Sequence, residues 1–554
     1  MRLHSIGFVC STLAACALLM PFAHAADVDE KKDWTMTGYD AEASHHNQDE
    51  LTLDSGNVGS LEVKWIFDDS VAGHEVGPVH ATPAVKGGKI FFGTNFGRFY
   101  ALDPEGHLLW EYETRQPNPL LDQLVIPAPV GGEIEGAVAT PVVGGAVTPK
   151  NGGLVIFGDL DGNIYALDIE TGEEVWVREQ LNPHPLGGVV GNALLLVDDM
   201  VVIGMSSIEN LGLVLPVLGI PYACCTHTGF VVALDTSTGA ELWRYETIPA
   251  ASVGPLPTAF APFRRGPSGA DIWGQPTYDE QTHTVYIGTG QNFSPRLTAI
   301  PPFSTARTDS IIALDADTGA EKWARQLTSG DIWVTGIPTP NRINPATGVP
   351  AFPLARVGFL DQDFGDSPKV YSLANGTRVV GAGQKSGAYH VLDASTGAVL
   401  FSTPHLQQAN SLGGFQTGGG FAGDTVFQHG LAGLDATGSG PFNGVVLALS
   451  LDGTQEKWRF ERFLSPLAGE LAIANDVVYV VSPVEETPPA LQEFALYALD
   501  ADSGQVLSRV PLPGRAVSSP VVSRGRIYAG MGNSAIGELG EDETGGLVCF
   551  GLPD

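Results

Sequence analysis

Two adjacent cysteines are the first residues in this chain whose chemistry goes beyond packing. Cys224 and Cys225 stand in the run Pro221-Tyr222-Ala223-Cys224-Cys225-Thr226-His227-Thr228-Gly229. If such neighbours bridge, the small ring they close strains the intervening peptide bond, outside usual disulfide geometry. Strain of that kind clusters at functional sites. Just upstream, residues 210–220 form an apolar stretch, either a wall for a hydrophobic ligand or ordinary packing. No Cys-x-x-Cys-His occurs, which excludes a covalently attached c-type haem. No nucleophile–base pair of a hydrolase is recognisable.

The elements that must position these residues repeat one phrase. Tyr100-Ala101-Leu102-Asp103 leads to Trp110, Tyr165-Ala166-Leu167-Asp168 to Trp176, Val232-Ala233-Leu234-Asp235 to Trp243, and Ile312-Ala313-Leu314-Asp315 to Trp323. Weaker copies end at Phe401, Trp458 and Ser508, making seven. Each reads as two strands around an Asp/Gly turn, and a further strand such as residues 89–93 precedes most of them. Repeats of this period with three or four antiparallel strands are propeller blades. The tryptophans read as packing between blades rather than as site residues. An eighth Trp strand, residues 61–65, has no copy before it, and residues 546–550 form a strand with no Trp strand after it. The expected fold is therefore all-β: an eight-bladed β-propeller closed by pairing of its N- and C-terminal strands. The step from Asp235 to Asp315 is 80 residues, against 50 from Ser450 to Asp500. The extra length belongs in loops, where function sits on a rigid scaffold.

Composition bounds the partners. The 554 residues include 69 Gly and 39 Pro, spread as turns rather than as a disordered tract. Acidic residues outnumber basic ones 62 to 29, which argues against nucleic acid as a partner. The excess either solubilises the surface or steers a basic redox partner. Residues 1–25 read as an export signal: Arg2, an apolar run to Phe22, and Ala23-His24-Ala25 as the cleavage site. Residues 26–554 form a single propeller domain. Leu13-Ala14-Ala15-Cys16 is a rival lipoprotein box that would tether the chain at Cys16, although the apolar run continues past it. No other segment is apolar enough to span a bilayer. The mature chain keeps Cys224, Cys225 and Cys549. The first two can pair in an oxidising compartment, and Cys549 reads as a small buried apolar residue.

Ordered motifs along nearly the whole mature chain resemble the quinoprotein alcohol dehydrogenases, which bind pyrroloquinoline quinone (PQQ) in an eight-bladed propeller. The resemblance is closest to the polyvinyl-alcohol dehydrogenase group. It opens at Asp33-Trp34-Thr35-Met36-Thr37-Gly38 and continues through Ser206-Ser207-Ile208-Glu209 and the Cys-Cys segment. Further matches are Gly269-Ala270-Asp271-Ile272-Trp273, Gly288-Thr289-Gly290-Gln291-Asn292, Gln362-Asp363-Phe364-Gly365 and Gly383-Gln384-Lys385-Ser386-Gly387.

The resemblance implies a role for each matching position. Trp273 would carry the flat quinone on its indole face, with a Cys224–Cys225 disulfide covering the other; an aromatic plane suits a planar cofactor. Glu209 would be a calcium ligand, since a hard cation wants oxygen donors. Asn292 would be another, although Gln291 occupies the position that the better-known members give to Asn. Lys385 would reach the quinone oxygens. The family's base Asp normally follows a Trp, but here Val334 follows Asp331-Ile332-Trp333. Asp363 is the better match, as both base and metal ligand, if residues 334–360 are an insertion. Asp331 and Asp361 are its rivals. Where the closest group carries an Arg that could anchor a PQQ carboxylate, this chain has Thr228; Arg264 or Arg265 is a substitute.

On these readings the chain is a periplasmic enzyme that depends on PQQ and Ca2+. It oxidises a secondary, hydrophobic or polymeric alcohol and passes electrons to a separate acceptor such as a c-type cytochrome. The alternative is a catalytically silent propeller that acts as a protein-binding scaffold in the cell envelope, because a fold alone does not choose a function.

Overall fold

The computed structural model of the chain describes residues 33–115, 142–148, 153–189, 193–209, 225–249, 254–255, 265–293, 307–331, 362–406, 414–431, 443–464, 469–482, 494–514, 516, 518–532 and 545–554. The export signal, Cys16, Cys224, residues 210–220, Arg264, Val334 and Asp361 lie outside these residues.

Each copy of the repeated phrase folds as the two outer strands of a four-stranded antiparallel sheet. In the first blade Ala84–Lys86, Lys89–Gly93, Arg98–Leu102 and Leu108–Glu113 pair in simple up-and-down order. Seven more sheets follow the same order. The third and seventh also carry a short added strand, Gly187–Gly188 and His46–Asn47. The eighth blade is composite. Val521–Ser523, Arg526–Met531 and Gly546–Gly551 come from the end of the chain, and Glu62–Phe67 from near its start supplies the outermost strand. Its register sets Val63 against Phe550, Trp65 against Cys549 and Phe67 against Leu547. The ring thus closes by pairing early chain with late chain, which covers the outer edge of the strand Gly546–Gly551.

The tryptophans of the phrase join neighbouring blades. The indole N–H of Trp65, Trp110, Trp176, Trp243, Trp323 and Trp458 donates to the carbonyl of Pro104, Ile169, Thr236, Ala316, Ala394 and Ala501, at 2.7–3.2 Å. In every case the acceptor directly follows the turn Asp or Leu-Asp of the next copy, so one rule sets the spacing around the ring. The turn Gly of that next copy lies under the indole face. A Cβ on Gly172 would come within 2.6 Å of the Trp110 ring, and its φ is +70°, a conformation that glycine adopts without strain. Cys549 is buried and free, and burial pushes its thiol up to about 12. Among the described residues no helix is long and apolar enough to cross a membrane.

Candidate active site

Trp273 is the tryptophan that leaves the blade pattern. It is only partly buried, and its indole N–H donates to Oδ2 of Asp363 at 2.9 Å rather than to a neighbouring blade. The other oxygen of Asp363 meets Nζ of Lys385 at 2.8 Å. The same ammonium stands 5.0 Å from the centroid of the Trp273 ring, within cation–π range. The three residues converge although Trp273 and Asp363 lie 90 positions apart. Asp363 and Lys385 are both buried, so the ion pair is little screened. Gly365 makes room for the indole: a Cβ there would sit 1.9 Å from Cη2 of Trp273.

The backbone around Asp363 is held on three sides. Lys385 N–H donates to Asp363 O at 3.1 Å, and Phe364 N–H to Thr289 O at 3.2 Å. Gln362 N–H donates to the Asp331 carboxylate at 2.6 Å. Asp331, a rival for the base, therefore carries a backbone donor, while Asp363 sits against the indole and the ammonium.

A second polar cluster surrounds Glu209, which is fully buried. Its carboxylate accepts the backbone N–H of Thr226 at 2.6 Å and of His227 at 2.7 Å. Nε2 of His184 lies 3.7 Å away. Cys225 is buried and disulfide-bonded, with Sγ 4.0 Å from Glu209 O. Asp271, two residues before Trp273, accepts Ser207 N–H at 2.7 Å, the Ser206 and Ser207 hydroxyls, and Nδ1–H of His227 at 2.8 Å. That bond leaves His227 Nε2 facing the Asn182 amide at 3.1 Å. Burial pushes the His227 imidazole down, but Asp271 and then Glu209 outweigh it and leave it above its ordinary value. His184 is lowered to about 4 by burial and by its positive neighbour His227, against the pull of Asp271.

Backbone contacts connect the two clusters. Thr228 and Gly269 form a bridge, as do Gly269 and Asn292. Gly290 N–H donates to Asp271 O at 2.7 Å. A Cβ on Gly290 would stand 3.7 Å from the Asp363 carboxylate. Glu209, Cys225, Trp273, Asn292, Asp363 and Lys385 thus lie on strands and loops that contact one another in sequence. Gln291 and Asn292 are both buried. Arg265 belongs to a short strand that pairs with Pro255.

Glu209, Asp363 and Asn292 offer two buried carboxylates and one buried amide, oxygen donors of the kind that a hard cation takes. Among the described residues no three His, Cys, Asp or Glu side chains converge as a metal cluster. Glu209 Oε1 accepts both the N–H and the hydroxyl of Thr226, and Oε2 the N–H of His227. Sequence reasoning missed the roles of His227 and Asp271. Both stand inside quoted motifs, but nothing local signals that a His and an Asp 44 residues apart will pair.

Residues 195–347 match the profile described as glucose/ethanol/alcohol dehydrogenase, beta-propeller domain. Residues 443–545 match that of outer membrane protein assembly factor BamB. A polyvinylalcohol dehydrogenase of Sphingopyxis sp. is 28% identical over 376 residues, 66% of this chain and 49% of that protein. Another, from Pseudomonas sp., is 24% identical over 379 residues, 66% of this chain and 50% of its own length. The chain thus spans about half the length of these curated relatives. Among solved structures, a quinohemoprotein alcohol dehydrogenase from Pseudomonas putida superposes with a TM-score of 0.67 at 18% identity, covering 94% of this chain and 80% of that one. At that identity the likeness shows the propeller fold.

Proposed function

Starting from a chain that is a relative of the PQQ-dependent quinoprotein alcohol dehydrogenases, we propose that it is itself an alcohol dehydrogenase of that kind, with PQQ and calcium held around Trp273. The observation that carries the proposal is the convergence of Trp273, Asp363 and Lys385. A propeller that only binds other proteins has no need of a buried carboxylate held between an ammonium and an indole N–H.

Each residue then has a task. The face of Trp273 supports the planar cofactor, and the disulfide of Cys224 and Cys225 is its proposed cover. Glu209, Asn292 and Asp363 supply oxygen ligands for calcium. Asp363 accepts the hydroxyl proton of the alcohol, and Lys385 and the Trp273 N–H keep its carboxylate charged and aimed. Bound there, PQQ would supply the two-electron acceptor, and calcium the Lewis acid that polarises its carbonyl. A separate carrier such as a c-type cytochrome is the proposed electron acceptor, in line with the name of a related methanol dehydrogenase (cytochrome c). The relatives named for polyvinyl alcohol support a secondary, hydrophobic or polymeric alcohol as substrate. The leader supports a periplasmic site, with a lipid tether at Cys16 as the lesser alternative.

A second reading has one observation behind it: the match of residues 443–545 to an outer membrane assembly protein favours a binding scaffold. Activity separates the two. The chain loaded with PQQ and calcium is expected to reduce an artificial electron acceptor when given a secondary alcohol. Chelating calcium should abolish the reaction, and adding calcium back should restore it. Alcohol-independent dye reduction, or none, from a folded and loaded protein would leave the scaffold reading.

A further inference from the structure

Asp331 and Asp309 are fully buried carboxylic acids that the proposed chemistry does not use. Asp309 immediately precedes the strand Ser310–Asp315. Its N–H donates to Gly290 O at 3.1 Å, and its carbonyl accepts Leu327 N–H at 3.0 Å, so its backbone is fixed between two blade segments. Its carboxyl lies beside that of Asp331, and the Thr308 hydroxyl is its other side-chain neighbour.

Two buried carboxyl groups in such contact cannot both be ionised; one proton must lie between them. The Gln362 N–H, 2.6 Å from Oδ2 of Asp331, favours the charge on Asp331, because a bond to an ionised acceptor is the stronger one. The proton therefore belongs on Asp309, which donates it to Asp331. Burial raises the Asp309 carboxyl well above the usual carboxylate range, and the charges of Asp331 and then Asp363 raise it further, outweighing the Thr308 hydroxyl, which lowers it.

Asp331 and Gln362 are 31 positions apart, so this one bond ties two distant points of the chain directly beside Asp363. Thr328 reinforces the tie: its hydroxyl lies 3.4 Å from Oε1 of Gln362 and accepts the Gln384 amide at 3.0 Å. Gln384 in turn precedes Lys385. The residues before Asp363 and before Lys385 are thereby fastened to the same short segment.

We propose that Asp331, backed by Asp309, is a positioning residue that clamps the backbone at Gln362 and so sets the carboxylate of Asp363 between Trp273 and Lys385. This rests on the reading of Asp363 as the base, but the clamp itself is a property of the protein without cofactor. Asp331 takes no proton from substrate; its part is to keep the carboxylate that does from drifting. A misplacement of about 1 Å can cost on the order of a hundredfold in rate.

The test has two readouts on the full-length chain. Hydrogen exchange at the Gln362 amide, measured without PQQ, should quicken at least tenfold in Asp331→Ala and Asp309→Ala. Asp309→Asn should stay within about threefold of the parent, since its amide N–H can donate to Asp331 as the carboxylic acid does. In the loaded enzyme both alanine variants should lose about ten- to a hundredfold in kcat with KM changed by less than about threefold, and Asp309→Asn should restore kcat. If Asp309→Ala does not fold, Asp331→Asn takes its place: a neutral acceptor holds the amide less firmly, and exchange should again quicken. Unchanged exchange in the Asp331 variants would overturn the clamp. So would damage from Asp309→Asn equal to that from Asp309→Ala, because the carboxyl itself would then be acting. If no alcohol is oxidised by any form, the exchange result still decides the clamp, while the loss of activity counts against the dehydrogenase alone.

Discussion

Asp363→Asn is expected to lower turnover of the loaded enzyme by about a hundred- to ten-thousandfold, the usual range for removing a general base. The amide keeps the size of the carboxylate and can still accept the Trp273 N–H, which lies 2.9 Å from Oδ2. What it loses is the capacity to take a proton and the charge that holds Lys385 at 2.8 Å. The fold should survive, because Lys385 lies in a turn at the end of its strand and its ammonium keeps the Trp273 face as a neighbour. Steady-state kinetics beside a thermal melt would check both halves. Calcium affinity should fall as well, since the same side chain is one of the three proposed ligands. Full turnover in this variant would move the base to Asp331 or Asp361, and the backbone bond from Gln362 to Asp331 would then need another explanation.

Trp273→Ala is expected to weaken PQQ binding by about thirty- to a hundredfold. Base–aromatic stacking offers the nearest measured scale, about 1–3 kcal/mol for one aromatic platform, and 1.4 kcal/mol is tenfold in affinity. The indole is not spent on a blade contact, unlike Trp110 or Trp243, and Gly365 leaves room for it. Trp273→Phe separates its two tasks. A phenyl ring retains an aromatic face, so affinity should stay within about fivefold of the parent. It lacks the N–H that holds Asp363, so turnover should drop by about tenfold, a loss of roughly 1.4 kcal/mol in the range of a hydrogen bond to a charged group. Equilibrium binding measured by absorbance, followed by dye reduction, distinguishes the two effects. Unchanged affinity in the alanine variant would remove the stacking role.

The propeller was readable because its repeat carries its own mechanics. A Trp strand, an Asp turn and a Gly recur because each indole must reach the carbonyl after the next copy's turn, as Trp176 reaches Thr236. The closing blade was readable from a Trp strand without a partner at one end and a partnerless strand at the other, which pair as Trp65 against Cys549. The site was legible only through the resemblance, whose motifs hold Trp273, Asp363 and Lys385; these three do meet. Three features were not legible. The Asp309–Asp331 pair depends on burial and on a contact between distant segments, neither of which a local motif encodes. Asp331 looked like a possible base because it stands near a Trp, and only its bond to Gln362 gives it another task. His227 and Asp271 lie in recognised motifs, yet their pairing needs the segments 225–229 and 267–273 to run side by side, which is a property of the ring.

The central claim is that this chain binds PQQ with the help of calcium at Trp273 and Asp363. Titration of the purified, folded protein with PQQ, with calcium present and with calcium removed, tests it most directly. Saturation at one PQQ per chain that requires calcium and weakens in the Trp273→Ala variant is the predicted result. No binding under either condition would contradict the account and leave a propeller that keeps the family's fold without its cofactor.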